Sequence, residues 1–126
     1  MTAKSKNYRQ LAAHPELIPT ITKIEDEINA RPTKFVPMDK LAEAQSHLKS
    51  GDIVGIATSE PGIDIAHTGL VIVDEKGVPR FMDASSNKKK MKVTFEPGPI
   101  SESLNYSKKH TGAVFGRPLE PTAISA

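Results

Sequence analysis

Two side chains of this sequence have the right chemistry for proton transfer, and they are expected to lie close together. His67 begins the most apolar segment of the chain, which ends at Val73, and imidazole gains and loses a proton near neutral pH. Asp83 ends the next apolar segment, after a turn predicted at residues 75 and 76. Such a turn would place residue 67 directly opposite residue 83, with Cβ atoms about 5 Å apart. The carboxylate could then accept the imidazole N–H and fix its tautomer.

Each of these residues also has a purely structural interpretation. A histidine at the start of a strand is often bonded to a neighbouring carbonyl, and an aspartate at a strand end often caps the next turn. Ser85 and Ser86, which follow Asp83, are typical turn residues rather than nucleophiles. Spacing alone leaves both interpretations open.

Other kinds of chemistry find little support in the sequence. The 126 residues include no cysteine, which excludes disulfides, thiolate zinc sites, iron–sulfur clusters and a cysteine nucleophile within this chain. The four histidines lack the paired spacing of metal ligands, and no glycine-rich loop matches a phosphate-binding pattern. We therefore expect no cofactor and no metal. The four histidines of the sequence are His14, His47, His67 and His110.

The only charge run is Lys88–Lys92, interrupted by Met91. It could contact phosphates, but lysines also protect the exposed edge of a sheet. A net charge of +2 and an aromatic content of 5% favour the edge strand, so we expect no nucleic-acid partner. Retention on DNA or RNA that depends on these lysines would reverse that expectation.

The elements that must position His67 and Asp83 change character near residue 50. Apolar residues at helical spacing predict one helix over residues 16–30, closed by Pro32, and a second that begins at Asp39 as N-cap and ends at Gly51. Between them, residues 33–38 are expected to be extended. A short helix is predicted over residues 101–109.

About five short strands are predicted after residue 50, joined by hairpins, with a tight turn at residues 74–77. In the segment 91–95, the alternation predicts Met91, Val93 and Phe95 inward and Lys92 and Thr94 outward. The predicted fold class is α+β, with N-terminal helices and an antiparallel sheet. The strands are predicted at 53–58, 70–73, 78–84, 91–95 and 113–116.

The chain ends and the membrane patterning add two expectations. No run of 18 apolar residues predicts a transmembrane helix, and the polar segment Met1–Gln10 lacks the apolar core of a signal peptide. As written, the chain is expected in the cytoplasm. The predicted organisation is a polar segment over 1–14, one domain over 15–118 and a tail over 119–126.

A series of short motifs resembles a known bacterial family. The series resembles the DUF1460 family of N-acetylmuramoyl-L-alanine amidase-like proteins, within the NlpC/P60 and papain-like group of cell-wall cysteine peptidases. The resemblance covers about residues 15–118. Its motifs are LKSGDIVGI at 48–56, GIDIAHTGL at 62–70, DASS at 83–86 and TGAVFGRP at 111–118.

The resemblance implies a papain-like partial domain and a Cys–His mechanism, in which a thiolate attacks an amide and a histidine on a strand acts as the base. His67 matches the catalytic histidine of that family motif. Asp83 stands where the family usually has a histidine, next to the role of orienting the base. The implied partners are peptidoglycan peptides, and such proteins are typically exported to the cell envelope.

The same resemblance implies a nucleophile that this chain lacks. Family members carry their cysteine on a helix ahead of the matched segment, so the sequence looks like the C-terminal part of such an enzyme. An uncovered sheet face is therefore expected, either as an exposed apolar patch or as the interface of a homodimer or of a missing N-terminal segment. The alternative hypothesis is a non-catalytic module that binds cell-wall peptide or a partner protein.

Overall fold

The computed structural model describes residues 1–121 and divides the chain into two compact units. The first unit is Met1–Thr33, and the second begins at Lys34 and contains the whole sheet. The division thus falls after residue 33 instead of residue 14. Of the predicted tail over 119–126, residues 122–126 lie outside the described part.

The first unit is helical. A 3-10 turn at Thr2–Asn7 precedes α1 at Arg9–Ala13, and a second at Pro15–Leu17 leads into α2 at Ile18–Asn29. The predicted helix over 16–30 is therefore present, and Pro19 lies in its first turn, where the missing N–H costs no hydrogen bond. No residue of α2 is buried, so the apolar side of this helix stays accessible to solvent.

The second predicted helix is much shorter than its pattern indicates. Only α3, Leu41–Ala44, is α-helical, between 3-10 turns at Met38–Lys40 and Gln45–His47. Asp39 does not cap it, because Asp39 lies inside the first 3-10 turn, and the N-cap of α3 is Lys40, whose side chain makes no capping hydrogen bond. Gly51 does adopt a left-handed φ of 92°, but in a turn beyond the helix, which ends when Leu48 becomes extended.

The sheet has six antiparallel strands, one more than the sequence predicts, in the order β1-β6-β2-β3-β4-β5. The additional strand is β1, which the sequence predicted only as an extended segment and which pairs with β6 at the edge. The fold class is therefore confirmed as α+β with an antiparallel sheet. The strands are β1 Phe35–Pro37, β2 Ile53–Thr58, β3 Ile65–Val73, β4 Pro79–Ser85, β5 Lys92–Phe95 and β6 His110–Gly116.

The hydrophobic core of this unit lies on one face of the sheet, which we call the core face. Leu41 from α3 and Ile100 from α4, Ile100–Ser103, pack over it together with Leu104, and all three are fully buried. The predicted helix over 101–109 is thus only one turn long, although Leu104 is buried as its pattern suggested. The sheet contributes Val54, Ile56, Val71, Phe81 and Ala113 to the same cluster.

Strand β5 faces the opposite way from its sequence prediction. Pairing with β4 places Thr94 opposite Asp83 on the core face, so Val93 and Phe95 point to the other side and are each 62% exposed. Met91 precedes the strand with a left-handed φ of 44° and is also exposed. The inward assignment of these three apolar residues was wrong, because the pairing partner decided which alternate set meets the core.

The other face of the sheet, which we call the back face, carries an apolar row across four strands. Ile53, Leu70, Met82 and Phe95 are successive cross-strand partners from β2 to β5. All except Met82 are among the exposed large hydrophobic residues. Within residues 1–121, no helix has both the length and the apolar character that crossing a bilayer requires.

Candidate functional site

His67 and Asp83 meet on the core face near the end of the β3–β4 hairpin. The Nε2 atom of His67 lies 2.8 Å from Oδ2 of Asp83. The two residues are not directly opposite, as the sequence predicted. Val71 pairs with Phe81, and this register puts position 85 opposite His67. Asp83 lies two positions from there along β4, so the contact between His67 and Asp83 is diagonal.

The register differs from the prediction because of the turn. Asp74 hydrogen-bonds to the backbone N–H groups of Lys76 and Val78 at 2.9 Å each, and its own N–H donates to the carbonyl of Val78. The loop therefore runs from Asp74 to Val78 and centres on residue 76. Because the loop lies slightly later in the chain than the predicted turn, each β3 residue is paired with a β4 residue two positions beyond the predicted one. A shift of two positions leaves His67 and Asp83 on the same face of the sheet.

The contact fixes which imidazole nitrogen is free. A carboxylate only accepts hydrogen bonds, so His67 must donate its Nε2–H to Asp83 and, when neutral, carries its lone pair on Nδ1. No described residue hydrogen-bonds to that Nδ1. Asp83 is 7% exposed, whereas the His67 side chain is 30% exposed and accessible from the cleft beside it. The structure thus shows a buried carboxylate paired with a partly exposed imidazole that lines the cleft.

A β-bulge and a contact with an aromatic ring determine the position of His67. The β2–β3 pairing shifts between Ile56–His67 and Ala57–Ile65, which leaves Ala66 as the extra residue of a β-bulge. On the other side of His67, the ring of Phe81 meets the imidazole edge-on at 6.2 Å between centroids. Phe81 is itself fully buried, so one side of the imidazole lies against the hydrophobic core.

Thr94 is the neighbour that the sequence analysis missed. Its Oγ1 lies 3.2 Å from Oδ1 of Asp83, the oxygen that does not contact His67. The alternation of β5 had assigned this residue to solvent. The polarity of Thr94 could not reveal the contact, since the pairing of β5 with β4 was the information required.

An open cleft of about 730 Å³ surrounds this group. Lys90 forms an ion pair with Glu96, which raises the pKa of the lysine ammonium. Burial raises the pKa of the Tyr106 hydroxyl, so that group remains a neutral donor across the physiological range. The lining consists mainly of polar side chains and includes Ala66, His67, Phe81, Asp83, Ser85, Ser86, Asn87, Lys90, Glu96, Pro97, Glu102, Ser103 and Tyr106.

Ser85, which lies two residues after Asp83, acts as a local structural residue, as its sequence context indicated. Ser85 Oγ accepts the backbone N–H of Asn87 at 3.2 Å. Asn87 in turn accepts the N–H of Lys89 through its side chain at 3.0 Å. These bonds organise the turn that carries the lysine run into β5, which is an edge strand of the sheet.

Two further residues of the matched motifs join distant parts of the chain. Arg117, after β6, donates from Nε and Nη2 to the two carboxylate oxygens of Asp52, at 2.7 Å each, and Lys49 N–H donates to the same carboxylate at 2.8 Å. The Arg117 hydrogen bonds are the main reason that the pKa of Asp52 is lowered. Asp52 is 3% exposed, so this pair lies at the edge of the core, away from the cleft of His67.

Comparison with known proteins gives a family match over most of the chain. A family model named AmiA-like, described as N-acetylmuramoyl-L-alanine amidase-like, matches residues 1–109. Among described residues, no group of three metal-ligating side chains occurs. No curated protein matches the chain.

Solved structures give a consistent result. An N-acetylmuramoyl-L-alanine amidase from Bacteroides uniformis is 30% identical, with a TM-score of 0.71, and the alignment covers 91% of this chain and 48% of that one. A proposed xylanase from Bacteroides fragilis is also 30% identical, with a TM-score of 0.69, and the alignment covers 91% and 49% of the two chains. This chain thus spans about half the length of the solved structures that it matches.

Proposed function

This chain belongs to the N-acetylmuramoyl-L-alanine amidase-like family. We propose that it contributes the general base, but not the nucleophile, of a site that hydrolyses amide bonds in peptidoglycan peptides. The observation that carries the proposal is the 2.8 Å contact of His67 with the buried Asp83, beside an open cleft. We assign His67 as the general base and Asp83 as the residue that orients it. The proposal includes the NlpC/P60, papain-like relationship that the motifs suggest.

The proposed reaction needs a nucleophile from outside these 126 residues, which contain no cysteine. A cysteine thiol near Nδ1 of His67 would give up its proton to that nitrogen, and the thiolate would attack the amide carbonyl carbon. His67 would then return the proton to the leaving amine as the C–N bond breaks. Water hydrolyses the remaining thioester, again with His67 taking the proton, and releases the carboxylic acid and the free thiol.

The cleft supports a peptide substrate. Its lining offers hydroxyl, amide and carboxylate groups from Ser86, Asn87, Glu102 and Tyr106, which can bind the N–H and C=O groups of a peptide. Its volume of about 730 Å³ lies within the range of small-molecule sites. The family match favours a muropeptide, whose peptide groups these polar side chains can bind.

Incubation of the chain with purified muropeptides, followed by chromatography of the products, tests this proposal. We expect cleavage, when a thiol-bearing partner segment of the family is supplied, to fall about 10²- to 10⁴-fold in His67→Ala, because the general base is lost. The matched control is His47→Ala, which removes an exposed imidazole away from the cleft. Cleavage that persists unchanged in His67→Ala would contradict the assignment.

The absence of cysteine favours a second candidate function, a non-catalytic module that binds cell-wall peptide or a partner protein. The same cleft would then hold a muropeptide without turnover. Calorimetric titration with muropeptides should show saturable heat, weakened by Asp83→Ala, with no product formed even when a thiol segment is added. Muropeptides that neither bind nor react would overturn both candidate functions.

The back face supports a further element of the proposal, association with a second copy of this chain. Its exposed apolar row, Ile53, Leu70 and Phe95, is the kind of surface that proteins commonly bury in an interface. The sequence analysis expected such a face and left two occupants open, a homodimer partner or a missing N-terminal segment. We propose the homodimer, which can be tested directly with this chain.

A further inference from the structure

We propose that Thr94 is a positioning residue that holds the carboxylate of Asp83 in the orientation in which it accepts the proton of His67. The inference rests on the proposed function, because the orientation of Asp83 matters to chemistry only if His67 acts as a base. Its test reads the imidazole directly and requires no hydrolysis.

The arrangement spans three neighbouring strands. His67 on β3 donates to Oδ2 of Asp83 at 2.8 Å, and Thr94 on β5 lies 3.2 Å from Oδ1. Thr94 is the direct cross-strand partner of Asp83 in the β4–β5 pairing, so the sheet places the two residues opposite each other. A carboxylate engaged at both oxygens from two sides cannot rotate without losing one of the hydrogen bonds.

The single hydroxyl proton of Thr94 has two candidate acceptors. Its Oγ1 is 3.2 Å from Asp83 and 3.0 Å from Oε1 of Glu96, and a hydroxyl donates only one hydrogen bond at a time. Glu96 already receives the ammonium of Lys90. Oδ1 of the 7% exposed Asp83 has no other donor among the described residues, and buried carboxylate oxygens require one.

The charges around the site are consistent with this assignment of the proton. Lys90 neutralises Glu96, and this interaction is the main reason that the pKa of the lysine is raised. The Thr94 hydroxyl therefore lies between Glu96, which Lys90 contacts directly, and Asp83, which Lys90 affects only through a weaker electrostatic interaction, and it donates to Asp83. The titratable groups that line the cleft around His67 are Asp83, Lys90, Glu96, Glu102 and Tyr106.

NMR of the chain with ¹⁵N-labelled histidine tests the proposal through solvent exchange of the Nε2–H proton of His67. We expect exchange to become about tenfold faster in Thr94→Val, which keeps the shape and removes the hydroxyl, since a hydrogen bond to a charged group is worth about a factor of ten or more. Thr94→Ser should restore the slow exchange. The control is Thr68→Val, which removes an exposed threonine hydroxyl from β3.

A second variant keeps the test valid if Thr94→Val perturbs the sheet. Lys90→Met leaves Thr94 in place but removes the donor to Glu96, so Glu96 should compete for the hydroxyl proton and exchange at His67 should accelerate. Glu96→Gln should leave the exchange unchanged. Exchange at His67 that is the same in the wild type, Thr94→Val and Lys90→Met would overturn the proposal.

The two proposals fail in different ways. A chain that neither cleaves nor binds muropeptides, yet shows the expected exchange pattern, would overturn the function and support the role of Thr94. Cleavage that depends on His67, together with exchange that ignores Thr94, would support the function and overturn the positioning role.

Discussion

Gly69 shows how one missing side chain shapes the site. A Cβ at this position would lie 2.3 Å from Cε2 of Phe81 and 2.5 Å from the carbonyl oxygen of Met82. The phenyl ring therefore packs against the β3 backbone, and from there its ring meets the imidazole of His67. The glycine of the His-Thr-Gly motif thus has a packing role next to the candidate base.

Gly69→Ala should test this packing role. The new methyl group must displace the buried Phe81 ring, so we expect a loss of about 1–3 kcal/mol in the free energy of unfolding measured with urea. Gly116→Ala is the matched control, because a Cβ there meets only Ile53, at 4.0 Å. Equal stability of the two variants would mean that the Phe81 ring and the Met82 carbonyl can both move without cost.

At the scale of elements, one ion pair joins the start of β2 to the end of β6. Asp52 begins the chain segment that enters β2, and Arg117 follows the end of β6, so their bidentate contact ties the two neighbouring strands together. The backbone N–H of Lys49 donates to the same carboxylate, which closes a local turn just before β2. These motif residues therefore position the strand ends, and they lie outside the cleft of His67.

The Asp52–Arg117 pair predicts a specific dependence of stability on pH. Because the folded state lowers the pKa of Asp52 below its usual value, ionised Asp52 stabilises the fold above about pH 4, and this contribution is lost as the pH falls through the lowered value. Arg117→Met should lower stability at neutral pH and flatten its decline between about pH 4 and lower values.

Thermal unfolding monitored by circular dichroism over a series of pH values provides the measurement. The matched control is Arg31→Met, since no described ion pair involves Arg31. A wild type and an Arg117→Met variant that lose stability in parallel on acidification would show that the pair makes no pH-dependent contribution.

At the scale of the whole molecule, the two units each leave apolar surface accessible. In the first unit, Ile24 and Ile28 of α2 are 44% and 52% exposed. In the second unit, the back face carries the row that ends at Phe95. Exposed apolar residues that share one face are a kind of surface that proteins commonly bury in interfaces.

Sedimentation velocity over a range of concentrations tests the proposed homodimer. We expect the wild type to dimerise, and Phe95→Lys to weaken the dimer by at least about tenfold, because it places a charge at the most exposed member of the apolar row. Leu119→Lys is the control, because Leu119 is 86% exposed but follows the last strand. A wild type that stays monomeric at all concentrations would contradict the dimer.

Local patterns in the sequence determined much of this fold. The apolar spacing of α2, the turn at residues 74–77 and the strand that ends near Asp83 appear close to their predicted positions, whereas β3 begins at Ile65, five residues before the strand predicted at 70–73. Each depends on interactions between residues near in sequence, such as the Asp74 side chain bonded to Val78 N–H. The juxtaposition of His67 and Asp83 was within reach for the same reason, because one short hairpin joins them.

Only the tertiary structure decided which neighbours complete the site. Alternation in β5 shows that Val93 and Phe95 share a face, but the same pattern fits either face of the sheet, and pairing with β4 brought Thr94 to Asp83 instead. The edge strand β1 and the Asp52–Arg117 pair likewise join residues far apart in sequence. Such contacts arise from pairing and packing, whose free energy depends on the whole sheet, and no local spacing encodes them.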